Sequence, residues 1–398
     1  MDIFLKHKME VLIMNFKKKA SALALCAVLL GTSIAPVSAA THEVIRGKDR
    51  YETAAQIADQ MGNYDTAILV NSDNSLADGL SASSLAGKEN APILLVKKDK
   101  LPEATEKKLE KVKKVYLIGG DAVISKKVES KLAGKEVIRI EGKNRVDTSK
   151  KVAERLGGYN HAFVVNGFKG EADAMSVAPV AAREKAPIIL TDGKTMDGEI
   201  NKDAYHYIVG GGNIMSDQIA DYISDNVNDS KYDFIFGANR YETNRAVLDK
   251  FYKDSTKLYF TRGDKLVDAL TVSPLAKNNG VVLVSEKSNK DFMKDRATLV
   301  QVGGVQDSVI NQIFAGQNTE DKSSLRVESE SLNVQLGEKI DYTTIGASAT
   351  DIDGSDISSK IQIVGLNPNV PGDYFIKVVV KLSNGKELSK DSFICIYE

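Results

Sequence analysis

The chain has 398 residues, 42% hydrophobic and 27% charged, with 53 basic and 54 acidic side chains and a formal net charge of −1. That length exceeds one ordinary core and calls for two or more units. The near balance of charge excludes the basic footprint of a nucleic-acid-binding protein or a membrane-surface binder. With no Trp and 7% aromatic residues, the composition argues against rows of stacked aromatic subsites.

The first forty residues read as an export signal. Lys17, Lys18 and Lys19 precede an apolar run from about Ala20 to Leu30, and Val37-Ser38-Ala39-Ala40 supplies a small-residue exit. The run is too short to span a bilayer comfortably, so residues 1–40 are expected to be a secretory signal peptide cleaved after Ala39 or Ala40. Met14 is an alternative start, and a buried or amphipathic N-terminal helix is the plain alternative reading. Cleavage would leave 48 basic and 52 acidic side chains, and Cys395 without an intrachain disulfide partner. Leu25 is too large for lipoprotein processing at Cys26, and there is no LPxTG string or apolar C-terminal tail. Folded structure is therefore expected to hold the protein to its cell, without membrane contact once the signal is removed.

Four sequence blocks then recur three times in one order. Gly47-Lys48-Asp49-Arg50-Tyr51-Glu52-Thr53 returns as Gly142-Lys143-Asn144-Arg145-Val146-Asp147-Thr148 and as Gly237-Ala238-Asn239-Arg240-Tyr241-Glu242-Thr243, with the arginines 95 residues apart each time. Ala77-Asp78-Gly79-Leu80-Ser81 is matched by Ala172-Asp173-Ala174-Met175-Ser176 and Val267-Asp268-Ala269-Leu270-Thr271. The third block is Ala91-Pro92-Ile93-Leu94-Leu95, then Ala186-Pro187-Ile188-Ile189-Leu190, then Asn279-Gly280-Val281-Val282-Leu283. The fourth is an apolar run ending in Gly119-Gly120, Gly210-Gly211 or Gly303-Gly304.

Within the first repeat, Thr66–Val70 and Ile93–Val96 read as buried strands, whereas Ala54–Met61 and Glu103–Val112 show helical spacing. Such alternation predicts a mostly parallel sheet with helices on its faces. A period of 95 residues is too long for a solenoid turn and predicts three similar α/β units, at 44–137, 138–232 and 233–316. After Gly316 the pattern changes to strands at Leu325–Val327, Leu332–Leu336, Ile361–Val364, Tyr374–Leu382 and Phe393–Ile396. Asp353-Gly354, Pro371-Gly372 and Asn384-Gly385 mark turns between them. Residues 325–398 are thus expected to form a small all-β, immunoglobulin-like sandwich.

The four blocks together resemble the clostridial cell-wall-binding type 2 repeat, over roughly residues 44–316. The resemblance implies three tandem α/β units in a pseudo-threefold arrangement that bind an anionic, phosphate-bearing secondary wall polymer of the teichoic-acid type. It further implies polymer attachment at Pro92, Ile93, Leu94 and Leu95, at Pro187, Ile188, Ile189 and Leu190, and at Val281, Val282 and Leu283. Gly280 stands for proline in the third copy, which puts that copy's site in question.

Chemistry alone leaves two readings of Arg50, Arg145 and Arg240. Their donor forks suit a phosphodiester, repeated three times, or they make structural ion pairs with Asp78, Asp173 and Asp268. Thr53, Thr148 and Thr243 are expected to be helix N-caps. The paired glycines are read as tight turns, with a backbone phosphate cradle as the alternative. Beyond residue 40, three histidines, His42, His161 and His206, and one cysteine, Cys395, give almost no material for a nucleophile pair or a zinc site. Asp351, Asp353 and Asp356 lack a strong calcium-loop pattern. No catalytic residue, metal or cofactor is expected. The reading is a wall anchor displaying an immunoglobulin-like module, with surface-layer proteins or a host surface as further partners. A wall- or glycan-acting enzyme and a structural surface-layer subunit are the alternatives.

Overall fold

The computed structural model describes residues 40–73, 76–315, 323–329, 331–351, 354–382 and 387–398. Residues 1–39 of the expected signal peptide, Asp353 and the Asn384-Gly385 turn lie outside them. The chain divides into two units, the repeats and the tail.

In chain order the first repeat contains β1 (Thr41–Ile45), α1 (Arg50–Met61), β2 (Thr66–Asn71), α2 (Ala82–Glu89), β3 (Ile93–Val96), α3 (Glu103–Leu109), β4 (Lys114–Ile118), α4 (Lys126–Ser130) and β5 (Glu136–Ile140). The second adds α5 (Arg145–Leu156), β6 (His161–Asn166), α6 (Glu171–Glu184), β7 (Ile188–Thr191), β8 (Tyr205–Val209), α7 (Asp217–Asn226) and β9 (Tyr232–Ile235). The third adds α8 (Arg240–Phe251), β10 (Lys257–Arg262), α9 (Val267–Val272), β11 (Val281–Val284), β12 (Thr298–Val302) and α10 (Asp307–Ala315).

Each repeat centres on a parallel four-stranded sheet, ordered β3-β2-β4-β5, β7-β6-β8-β9 and β11-β10-β12-β1. The third sheet takes its outer strand from the start of the chain, with Thr41 opposite Thr298 and Ile45 opposite Val302. The sheets are thereby closed into a ring by strand pairing, and the 95-residue sequence period is offset from the sheets by one strand. Ile45, Ile140 and Ile235 end the three outer strands. Their carbonyls accept from Gly303 N at 2.9 Å, Gly119 N at 2.9 Å and Gly210 N at 3.0 Å.

Strands buried on both faces explain the unbroken apolar runs. Ile93 packs into a central cluster shared by all three repeats, while Leu94 faces an outer cluster of the first. The second repeat divides Ile188 and Leu190 from Ile189 in the same way. Ser83 and Ser273, of the first and third repeats, share a buried hydrogen bond of 2.7 Å. Helix α2 approaches α6 so closely that a Cβ on Gly87 would lie 1.9 Å from the Ala182 carbonyl oxygen.

The tail contains β13 (Ser324–Val327), β14 (Ser331–Gln335), β15 (Ala347–Thr350), β16 (Gln362–Val364), β17 (Gly372–Lys381) and β18 (Glu387–Tyr397). Four of these form a mixed sheet, β14-β18-β17-β16, and β13 pairs with β15. Alternating residues from both sheets meet in one apolar cluster, including Val334, Ala347, Ile376, Val378 and Ile394. The short β15, Ala-Ser-Ala-Thr, is the strand that apolar patterning misses. Its alternation is carried by alanines, with Ala347 and Ala349 buried.

Candidate functional site

The Gly-x-x-Arg block forms the N-terminus of a helix in every repeat, four residues earlier than its threonine suggests. Asp49, Asn144 and Asn239 are the N-caps, each side chain accepting from the two amides that follow the arginine. The N-cap expectation for Thr53, Thr148 and Thr243 is corrected accordingly. Each of these lies one turn inside its helix, where its hydroxyl accepts from the amide of Gly47, Gly142 or Gly237 at 3.1 Å. The threonine thus folds the glycine entry segment back onto the helix. A side chain at Gly142 would meet the backbone of Asp147 and Thr148.

The arginines are tethered alike. Arg50 Nη1 donates to Ser72 O at 2.6 Å, Arg145 Nη1 to Gly167 O at 2.5 Å, and Arg240 Nη1 to Gly263 O at 2.8 Å. One arm of each guanidinium therefore fastens the loop after the repeat's central strand. Its charge acts across a junction. Arg145 of the second repeat lowers the pKa of Asp78 in the first, Arg240 of the third acts on Asp173 in the second, and Arg50 of the first acts on Asp268 in the third. The expected pairing of Arg50 with Asp78, and so on within each repeat, is corrected. The partners are displaced by one repeat around the ring.

Burial still dominates these carboxyls, raising Asp78 and lifting Asp173 and Asp268 to about 6. Thr148 and Thr243 hydrogen-bond Asp78 and Asp173, whereas Thr53 donates to Asp49 O at 3.0 Å instead. The glycine pairs complete each junction. Gly119, Gly210 and Gly303 have φ of +113°, +122° and +71°, which favours glycine. Each lies against its own repeat's aspartate. With that amide given to an outer-strand isoleucine and a carboxylate beside it, the first glycine is a tight turn rather than a phosphate cradle.

The result is a recurring junction of arginine, aspartate and glycine between neighbouring repeats. Between the second and third repeats lies a cavity of about 250 Å³ lined by Asp173, Gly211, Asn213, Asn239, Arg240 and Lys169, among others. By contrast, Pro92, Ile93, Leu94, Leu95, Pro187, Ile188, Ile189, Leu190, Val281, Val282 and Leu283 are all buried. These buried side chains hold the outermost strand of each sheet in place. In the third copy Gly280, at φ +79°, takes the helix-exit conformation held by Asn90 and Lys185. Its carbonyl also takes the pairing place of Pro92 and Pro187. Proline cannot adopt that φ.

Sequence reasoning missed the exposed aromatics Phe168 and Phe236, 52% and 57% exposed. Phe168 lies under the Arg145 guanidinium, 4.7 Å from ring centroid to Cζ. Their signal was their position in the repeat, beside the arginine tether and after the outer strand. Among the described residues no cluster of His, Cys, Asp and Glu is arranged to hold a metal. Asp356 accepts from Ser358 N and so serves a turn. Among the described residues no helix is long and apolar enough to cross a membrane.

A closed ring of α/β units joined by matched arginine–aspartate junctions defines a tandem-repeat binding module. The model of the cell wall binding domain 2 (CWB2) family matches residues 44–129, 139–220 and 235–314, and the chain belongs to that family. It is 35% identical over 263 residues to the amidase enhancer of Bacillus subtilis (strain 168), covering 63% of this chain and 36% of that protein. It is 30% identical over 264 residues to N-acetylmuramoyl-L-alanine amidase LytC of the same organism, covering 63% of this chain and 52% of that one. The chain thus spans about a third and about half of these relatives' lengths. Among solved structures, Cwp8 from Clostridium difficile superposes with a TM-score of 0.64 at 34% identity, over 69% of this chain and 51% of that chain. Cwp6 from the same organism gives 0.62 at 25% identity, over 81% and 55%. The protein is a cell-wall-associated binding protein of the CWB2 family.

Proposed function

We propose that the chain is a secreted, non-catalytic anchor that holds non-covalently to the Gram-positive wall. It does so by binding an anionic, phosphate-bearing polymer of the teichoic-acid type at the repeat junctions. The observation that carries the reading is the threefold recurrence of a tethered arginine at the repeat junctions, one of which, Arg240, lines a cavity. One guanidinium arm fixes the local loop, and the remaining donors suit a phosphate oxygen. Three weak contacts on one polymer chain add through effective concentration, so the binding is multivalent. The tail is the displayed module, with an immunoglobulin-like core. Its exposed Phe375, 86% exposed and packed edge-on against Phe393, suits contact with a partner.

The test is co-sedimentation with Gram-positive walls before and after hydrofluoric acid removes phosphodiester-linked polymers. Binding is expected to disappear with that treatment, and unchanged binding would overturn the polymer assignment. The names of the two Bacillus relatives favour a second reading, in which the repeats bring the chain to where an amidase works. Release of peptides from peptidoglycan by the protein alone would replace the anchor reading with an enzymatic one.

A further inference from the structure

The three junctions share a frame but differ at one position. The residue after each outer-strand isoleucine leans over the second glycine of the neighbouring pair. A methyl group on Gly304 would lie 3.7 Å from Arg46 Nη2, one on Gly120 would lie 2.8 Å from Glu141 Oε2, and one on Gly211 would lie 4.0 Å from Phe236 Cδ2. Matched backbone therefore presents a cation, an anion and an aromatic ring in the same place.

The surroundings reinforce the difference. At the third-to-first junction Arg46 faces Gly304, while Arg50, Arg262 and Lys265 all act on Asp268. Arg262 is paired with Asp264. At the first-to-second junction Glu141 joins Asp78, and Glu171 lies 3.6 Å from Arg145 Nη1. Arg139 is occupied by Glu129 and Asp121. At the second-to-third junction the Phe236 ring faces Gly211, which lines the cavity together with Arg240, Lys169, Asn213 and Asn239.

We infer that the junctions are specialised. The third-to-first junction is the phosphodiester subsite, with Arg46 as its specificity-determining residue. The second-to-third junction takes a sugar face against Phe236, and Glu141 closes the first-to-second junction to anions. The inference rests on the wall-polymer reading and deepens it. A guanidinium such as Arg46 donates to a phosphate oxygen, while a carboxylate in the same place repels it. An aromatic ring offers an apolar face to a sugar without depending on charge.

The experiment measures affinity of the protein for phosphodiester-linked polymer isolated from Gram-positive walls, across a salt series. Arg46→Ala is expected to weaken binding about tenfold and flatten its salt dependence, the scale of one partly exposed charge contact. Arg46→Lys should recover part of the loss. Glu141→Arg is expected to tighten binding and steepen the salt dependence, a gain that misfolding cannot mimic. Phe236→Ala should weaken binding with the salt dependence unchanged. Wild-type binding with Arg46→Ala unaffected, or with Glu141→Arg no tighter, overturns the specialisation alone. A wild-type protein that ignores the polymer overturns the wall-polymer reading as well.

Discussion

Asp173 provides a quantitative test of the junction architecture. It is 6% exposed, and burial lifts its carboxyl to about 6 despite Thr243 and the Arg240 charge. A raised folded-state pKa contributes stability that is present below the unfolded value of 3.8 and lost as pH rises through about 6. Between pH 5 and pH 7.5, this group alone removes about 1.4 kcal/mol from the wild-type protein. Asp173→Asn keeps the shape and abolishes the titration. Its stability relative to wild type is therefore expected to be about 1.4 kcal/mol better at pH 7.5 than at pH 5. Urea denaturation of both proteins at the two pH values reads this difference. His206, whose pKa burial lowers, shifts both proteins equally and cancels. If Asp173→Asn were less stable relative to wild type at pH 7.5 than at pH 5, attraction to Arg240 would outweigh burial, and the reasoning would fail.

Further predictions concern the ring and its ligand. Gly87→Ala drives a methyl group into the Ala182 carbonyl and is expected to cost about 3 kcal/mol, read as a lower thermal midpoint, whereas Gly134→Ala, with open space around it, should show a smaller loss. Ser83→Ala removes the buried bond to Ser273, which keeps Leu270 O as an acceptor. The expected cost is about 1 kcal/mol in urea denaturation. Protonation of Asp173 and Asp268 as pH falls through about 6 removes negative charge from two junctions, so polymer affinity should be higher at pH 5 than at pH 7.5. Calorimetric titration at both pH values checks that sign.

Local structure was legible because each repeat carries its own punctuation. Ile93–Val96 was read with the observed limits because a continuous apolar strand must be buried on both faces. The helix at Arg50 started earlier than expected because Asp49 and Thr53 are both competent caps. Only geometry shows that the aspartate takes the amides while the threonine takes Gly47. What the sequence pattern concealed was connectivity between copies. Asp78 lies closer in sequence to Arg50 than to Arg145, yet it faces Arg145 because β5 carries the chain across to the next repeat. The closing role of β1 had a faint signal. A strand precedes the first arginine block, and none was recognised between Gly304 and Gly316, so the third sheet lacked an outer strand that the N-terminal segment could supply. The apolar block at Pro92–Leu95 illustrates the opposite problem, since its recurrence reflects packing as readily as contact with a ligand.

The central claim is that wall polymer lies at the repeat junctions, and hydrogen–deuterium exchange with and without isolated polymer tests it most directly. The account predicts added protection in the segments at 46–52, 236–242 and 263–268, with little change in β13 to β18. Protection confined to the tail, or absent from all three junctions while polymer remains bound, would contradict it.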